Sequence, residues 1–286
     1  MSTGLTPTAK AVAFYVTALL LALLVALAGP TAWGLYMLTP TVAVLLTMLV
    51  VTRDGYSRGG WARLGLHRLG WRTWGTALLV PAAVMAVAYV VVWVTGLSGF
   101  ASTEDIDGFS IPGALMPAVF VWVVAQATLT LSLGEELGWR GYLLPQLQAL
   151  GPWKASLLTG LLHGAWHLPM ILLTTEYHAE GNRLVVIPLF LATITVVGGF
   201  LGYLRLRTDS VWPASIAHSA HNAAWNFGAA FTVAGTSTTA GEYLAGDSGL
   251  LILLGYAALI PFLLRSLTRR RETHGATALA VPGVPA

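Results

Sequence analysis

Glu135 and Glu136 stand side by side in "SLGEELGWRGYLLPQL", residues 132–147, with Arg140 one helical turn beyond. Two further polar groups follow in apolar surroundings. "TGLLHGAWHLP" (159–169) carries His163 and His167, and "VWPASIAHSAHNAAWNFG" (211–228) carries His218, His221, Asn222 and Asn226. Carboxylates, imidazoles and carboxamides can together hydrolyse an amide. A water activated by Glu135 and His167 can attack a peptide carbonyl. A histidine and an asparagine can stabilise the oxyanion that forms. Alternatively, carboxylate and imidazoles can hold a divalent metal that polarises the water. The chain has no cysteine, so thiol nucleophiles and thiolate ligands are excluded. No Ser–His pairing has a comparable case. The soluble zincin pattern H-E-x-x-H is absent, because Gly164 follows His163.

Helical spacing sorts these residues. Glu136 and Arg140 are four apart and can pair on one face, while Glu135 points about 100° away and keeps a separate direction. Gly134, Gly138 and Gly141 form a small-residue stripe against which another helix can pack closely. Pro145 disfavours continued helix at its own turn. His163 and His167 share a face, as do His218 and Asn222, with Asn226 one turn on. His221 is expected to be merely interfacial. Plainer readings exist for some of these. Glu136 with Arg140 can be a salt bridge fixing a helix end, His163 a hydrogen-bonded packing residue, and Asn226 interhelical glue. They leave Glu135 as an acid near the membrane with no partner, and intramembrane acids are functional by default.

The elements that must position these groups are membrane helices. The 286 residues are 56% hydrophobic and 9% charged, with mean hydropathy +0.73. A soluble domain carries roughly 25% charged residues. Apolar runs at about 11–29, 32–51, 75–97, 113–133, 155–175, 184–204, 212–230 and 250–264 predict eight spans in an all-α polytopic membrane bundle. Residues 1–272 are expected to form one bundle with a catalytic core at 113–230, and 273–286 a disordered tail. Ala26-Leu27-Ala28 looks like a cleavage site, but the long apolar run before it favours a first transmembrane helix.

Basic residues orient the chain. With the N-terminus inside, every Lys and Arg of the 15 except Arg183 falls on inside segments. The outside loops hold Glu104, Asp105, Asp107, Glu176, Glu180, Glu242 and Asp247. Both termini are therefore expected to be cytoplasmic, in a multi-pass protein of the cell membrane. "RGGWARLGLHRLGWRTW" (58–74) suits the membrane surface, and the basic run Arg265–Arg271 suits anionic lipid. Gly198, Gly199 and Gly202 offer a close-packing face, internal or between subunits. No repeat marks an inverted-repeat transporter.

The pattern E-E-x-x-x-R at Glu135, Glu136 and Arg140, then His167, then H-x-x-x-N at His218 and Asn222, resembles the CPBP family of CAAX prenyl proteases and bacteriocin-processing (Abi) proteins. The resemblance covers roughly 113–230. It implies an all-helical intramembrane endopeptidase whose site opens toward the cytosol. It also implies that Glu135 and His167 activate water, that His218 and Asn222 form the oxyanion site, and that Glu136 and Arg140 support them. His163 stands where the family often has an aromatic. Two mechanisms stay open. In one, a divalent metal, zinc first, is held by Glu135, His167 and His218, with His163 the weakest candidate; in the other, glutamate acts without metal. The expected partners are a membrane-associated protein or peptide substrate and the lipid bilayer, not nucleic acid. A non-catalytic scaffold or bacteriocin-immunity protein of the same fold, and a proton-coupled carrier, are the competing classes.

Overall fold

A computed structural model describes residues 4–101, 105–106, 109–110, 112–175, 177–178, 180–233 and 239–279. Each segment expected to span is helical: α1 (Pro7–Ala28), α2 (Pro30–Val51), α3 (Trp71–Val94), α4 (Gly113–Leu150), α5 (Pro152–Leu173), α6 (Arg183–Thr208), α7 (Trp212–Ala230) and α8 (Leu250–Leu279). The first 6 are each long and apolar enough to cross a membrane. α7 carries the polar side chains of interest and falls below that apolarity, and α8 is apolar only over Leu250–Leu263. The fold is an all-α polytopic membrane bundle. Its extended structure among the described residues is a two-residue antiparallel pair, Asp105–Ile106 with Phe109–Ser110, and a bridge between Phe100 and Thr232. α8 runs to Leu279, so it includes residues 273–279. Residues 280–286, and the loop acids Glu104, Asp107 and Glu176, lie outside the described residues.

Local sequence sets the helix ends. Thr6 caps α1 by accepting the Ala9 amide at 3.2 Å, with Pro7 opening the helix, and Gly29 ends it at φ 90°. α4 is less regular. Two π-helical turns, Thr128–Ser132 and Leu137–Leu143, bracket the α-helical Leu133–Glu136. Such turns re-aim side chains and are frequent at functional sites. Pro145 does not end α4 as expected. It falls in the first turn of the α segment Leu144–Leu147 that follows the second π turn, where a missing N–H costs least.

Buried apolar side chains gather in two large clusters. One joins α1, α2, α4 and α5 through Phe14, Ala43, Trp139 and Trp166. The other joins α3, α6, α7 and α8 through Met85, Phe200, Ala214 and Tyr256. The halves meet along α5 and α6, where the glycine face proves internal. Gly199 lies against Trp153 and Leu157, and Gly202 against Ser156. Within the first half, Gly134 and Gly138 let α4 approach α2, and the Thr41 hydroxyl donates to the Gly134 carbonyl.

The tightest contact on the seam is Gly198 against Gly160. A Cβ on Gly198 would stand 2.3 Å from the Gly160 Cα, and backbone cannot yield as a side-chain tip can. Gly198→Ala is therefore expected to destabilise by about 1–3 kcal/mol through overpacking. Thermal unfolding in detergent checks this, with the exposed Gly75→Ala, which meets nothing within 4 Å, as the neutral control.

Candidate active site

α4 contributes Glu135, Glu136 and Arg140, all buried at 1% exposure or less. Glu136 and Arg140 pair along the helix as their spacing predicts, Arg140 Nη1 donating to Glu136 Oε1 at 2.9 Å. The same oxygen accepts from His218 Nδ1 on α7, also at 2.9 Å. Two donors on one carboxylate oxygen offset the cost of burying that charge, and one of them comes from the opposite half of the bundle.

Glu135 also has a partner. His163 on α5 places Nε2 2.8 Å from Glu135 Oε2, while its Nδ1 lies 3.3 Å from Arg140 Nη1. A guanidinium can only donate, so Nδ1 accepts and the Nε2 proton goes to Glu135. The His163 ring stacks on Trp139 with centroids 5.1 Å apart and planes at 24°. It thus occupies an aromatic's place and steers Glu135 at once. His167 is set by its own helix: Nδ1 lies 3.2 Å from the His163 carbonyl, which can only accept. That fixes the tautomer and leaves Nε2 without a proton.

Glu135, His163 and His167 offer ligand atoms within 4.8 Å of one another. His218 is not among them, and its Nδ1 is bonded to Glu136. The tightest metal-capable set thus contains His163, which the sequence ranked last, and omits His218. A carboxylate with two imidazoles suits zinc chemically, although His163 already uses both nitrogens on neighbours.

These groups converge on one cavity of about 230 Å³, lined by Glu135, Arg140, His163, His167, His218 and Asn222. Apolar walls come from Met170, Val197, Leu201 and Trp225. Tyr36 lines it too; its hydroxyl donates to the Trp166 carbonyl at 2.6 Å. Asn226 is not interhelical glue. It is exposed and donates to the Asn222 carbonyl on its own helix at 2.9 Å. His221 is not interfacial either. It is buried, with Nδ1 3.1 Å from the Tyr256 hydroxyl and Nε2 2.8 Å from the Asp247 carbonyl.

A second polar network borders the cavity. The Tyr177 hydroxyl donates to Asp247 Oδ2, and both residues line the cavity. His178 stands between two acids, Nδ1 2.8 Å from Glu242 Oε2 and Nε2 3.4 Å from Asp247 Oδ1. Sequence reading treated Glu242 and Asp247 only as outside loop charges, yet Asp247 is 5% exposed. Their one signal was an acid–histidine composition in loops about 65 residues apart, which fixes no pairing.

Fold and site together define a polytopic membrane protein with a buried cluster of carboxylates and imidazoles at the seam of two helical halves. Residues 116–224 match the family described as Rce1-like type II CAAX prenyl endopeptidase. Over 105 residues the chain is 33% identical to "CAAX prenyl protease 2" of Methanococcus maripaludis, a stretch covering 36% of this chain and 35% of that protein. The chain thus spans about a third of the length of the curated relative it matches. Residues 116–224 are thus similar to the Rce1-like type II CAAX prenyl endopeptidase family, and the match covers less than half of the chain.

The outer network makes a pH-dependent contribution to stability. Burial opposes protonation of His178, but the carboxylates of Asp247 and Glu242 outweigh it and raise its pKa from 6.5 to about 10. The stability this supplies is fully present below about 6.5 and is lost as pH rises toward about 10. The unfolding midpoint in detergent is expected to fall across that window, and His178→Gln is expected to flatten the fall. Equal slopes in wild type and variant would remove His178 from the network.

Proposed function

We propose that the protein is an intramembrane endopeptidase that hydrolyses a peptide bond in a membrane-associated protein or peptide. The supporting observation is that Glu135, His167, His218 and Asn222, drawn from three helices, line one buried cavity. Glu135 and His167 Nε2 hold a water between them. Glu135 takes a proton as the water oxygen attacks the carbonyl carbon. The carbonyl becomes an oxyanion, stabilised by the Asn222 amide and by Nε2–H of His218 in its doubly protonated form, whose Nδ1 proton Glu136 accepts. Collapse breaks the C–N bond, and Glu135 returns its proton to the leaving amine. His163 steers Glu135, while Glu136 and Arg140 hold His218 and the α4 turn. Exclusion of bulk water strengthens each of these interactions.

A divalent metal, zinc first, would be held by Glu135, His163 and His167, and would add Lewis-acid polarisation of the water. The relative's name points to the substrate class: a protein ending in a prenylated C-a-a-X sequence.

The test is cleavage of a farnesylated C-a-a-X peptide and its unprenylated twin by purified protein. Glu135→Ala and His167→Ala are expected to lower kcat by at least about 10³-fold with the fold intact. Asn222→Ala is expected to lower it by about 10²–10³-fold. Wild-type rates in Glu135→Ala would sink the assignment. Loss of activity to a chelator, restored by zinc, assigns the water to a metal; full activity in chelator assigns it to Glu135 and His167 alone.

A further inference from the structure

Asp247 lies in the segment before α8 and touches both halves of the bundle at once. Its carboxylate reaches toward α5: Oδ2 accepts the Tyr177 hydroxyl, and the Tyr177 ring lies against the His167 ring with centroids 5.6 Å apart. Its backbone carbonyl reaches α7, accepting from His221 Nε2 at 2.8 Å. His221 precedes Asn222 and follows His218 by three residues. The carboxylate itself is held from two more directions. Ser248 Oγ donates to Oδ1 at 3.0 Å, and His178 Nε2 stands 3.4 Å from the same oxygen. Glu242 holds His178 at 2.8 Å, and Thr193 on α6 donates to the Ser248 carbonyl at 2.9 Å. The Glu136–His218 bond joins the same two halves.

We propose that Asp247 is a positioning residue for the reaction proposed above. Its side chain, through Tyr177, and its carbonyl, through His221, set the placement of His167 relative to His218 and Asn222. The base side and the oxyanion side of the site belong to different packed clusters. Neither cluster alone fixes the distance between them. The Glu136–His218 and Ser132–Ser219 bonds and the α5–α6 glycine contact already join the halves; the Asp247 link adds the contact that reaches the neighbours of His167 and of Asn222. Catalysis is sensitive to such placement, since a displacement of about 1 Å can cost about 10²-fold.

The inference rests on the peptidase reading for its kinetic arm, so the test has a second arm. Asp247→Asn keeps the backbone carbonyl that holds His221 and removes the charged acceptor of the Tyr177 hydroxyl and of His178. Tyr177→Phe keeps the ring against His167 and removes the tether to Asp247. Each is expected to lower kcat about tenfold with KM changed by less than about twofold. The double variant is expected to be no slower than the slower single one, because both break one link. Independently of turnover, amide hydrogen exchange in Asp247→Asn is expected to speed up in residues 163–173 as well as in 239–249. Additive kinetic losses, effects on KM alone, or exchange changes confined to 239–249 would overturn the proposal. If wild type cleaves neither peptide, the peptidase reading falls, and the exchange pattern decides the role of Asp247 alone.

Discussion

An ionised carboxylate inside a membrane bundle needs donors within reach, and Glu136 Oε1 has two, at 2.9 Å each. One is Arg140 on the same helix; the other is His218 from the opposite half. That shared oxygen is the constraint on which the rest is arranged. Arg140 must be buried to meet it, so the Arg140 carbonyl and guanidinium need partners of their own. Arg205 on α6 donates to that carbonyl at 3.1 Å, and Arg140 Nη1 also reaches His163. His163 can then point only its Nε2–H at Glu135. A chain of obligatory donors and acceptors thus runs from one carboxylate to the other, and it settles tautomers as well as positions.

The backbone answers the same constraint. Breaking one partner from such a pair typically costs about 3–5 kcal/mol, so the helices must hold their register. Glycines at 160 and 198 bring α5 and α6 into contact beside the Arg140 guanidinium, where a Cβ on Gly198 would come within 3.1 Å of Nη2. The hydroxyls of Ser132 and Ser219, 2.7 Å apart, join α4 to α7 one turn from the glutamates and next to His218. The α-helical Leu133–Glu136 between the π turns carries the two glutamates about 100° apart, toward different neighbours.

What could be read from the sequence followed the reach of helical periodicity. Spans, their order and the Glu136–Arg140 pair are local, and they emerge from composition and a four-residue spacing. The resemblance to a peptidase family rested on one ordered set of motifs, and residues 116–224 carry the family match. Partner choice across helices was out of reach. His163 and His167 share a face of α5, so which of them meets Glu135 depends on a shift of about one helical turn between α4 and α5, which no spacing encodes. His163 was therefore ranked below His218 as a ligand, and Glu135 was left without a partner. The π turns hid from a rule that counts 3.6 residues per turn, as did the survival of helix through Pro145. The Tyr177–Asp247–His178–Glu242 network is the extreme case, since its members come from separate loops.

The central claim is that Glu135 makes this bundle a peptidase. The most direct test compares membranes of cells expressing wild type with those expressing Glu135→Ala at equal abundance, identifying by mass spectrometry every protein terminus and released peptide that differs. The account requires termini present only with wild type, on membrane-associated proteins, and those termini name the substrate. Identical profiles, with the variant folded and inserted, would contradict it and favour a protein that works by binding.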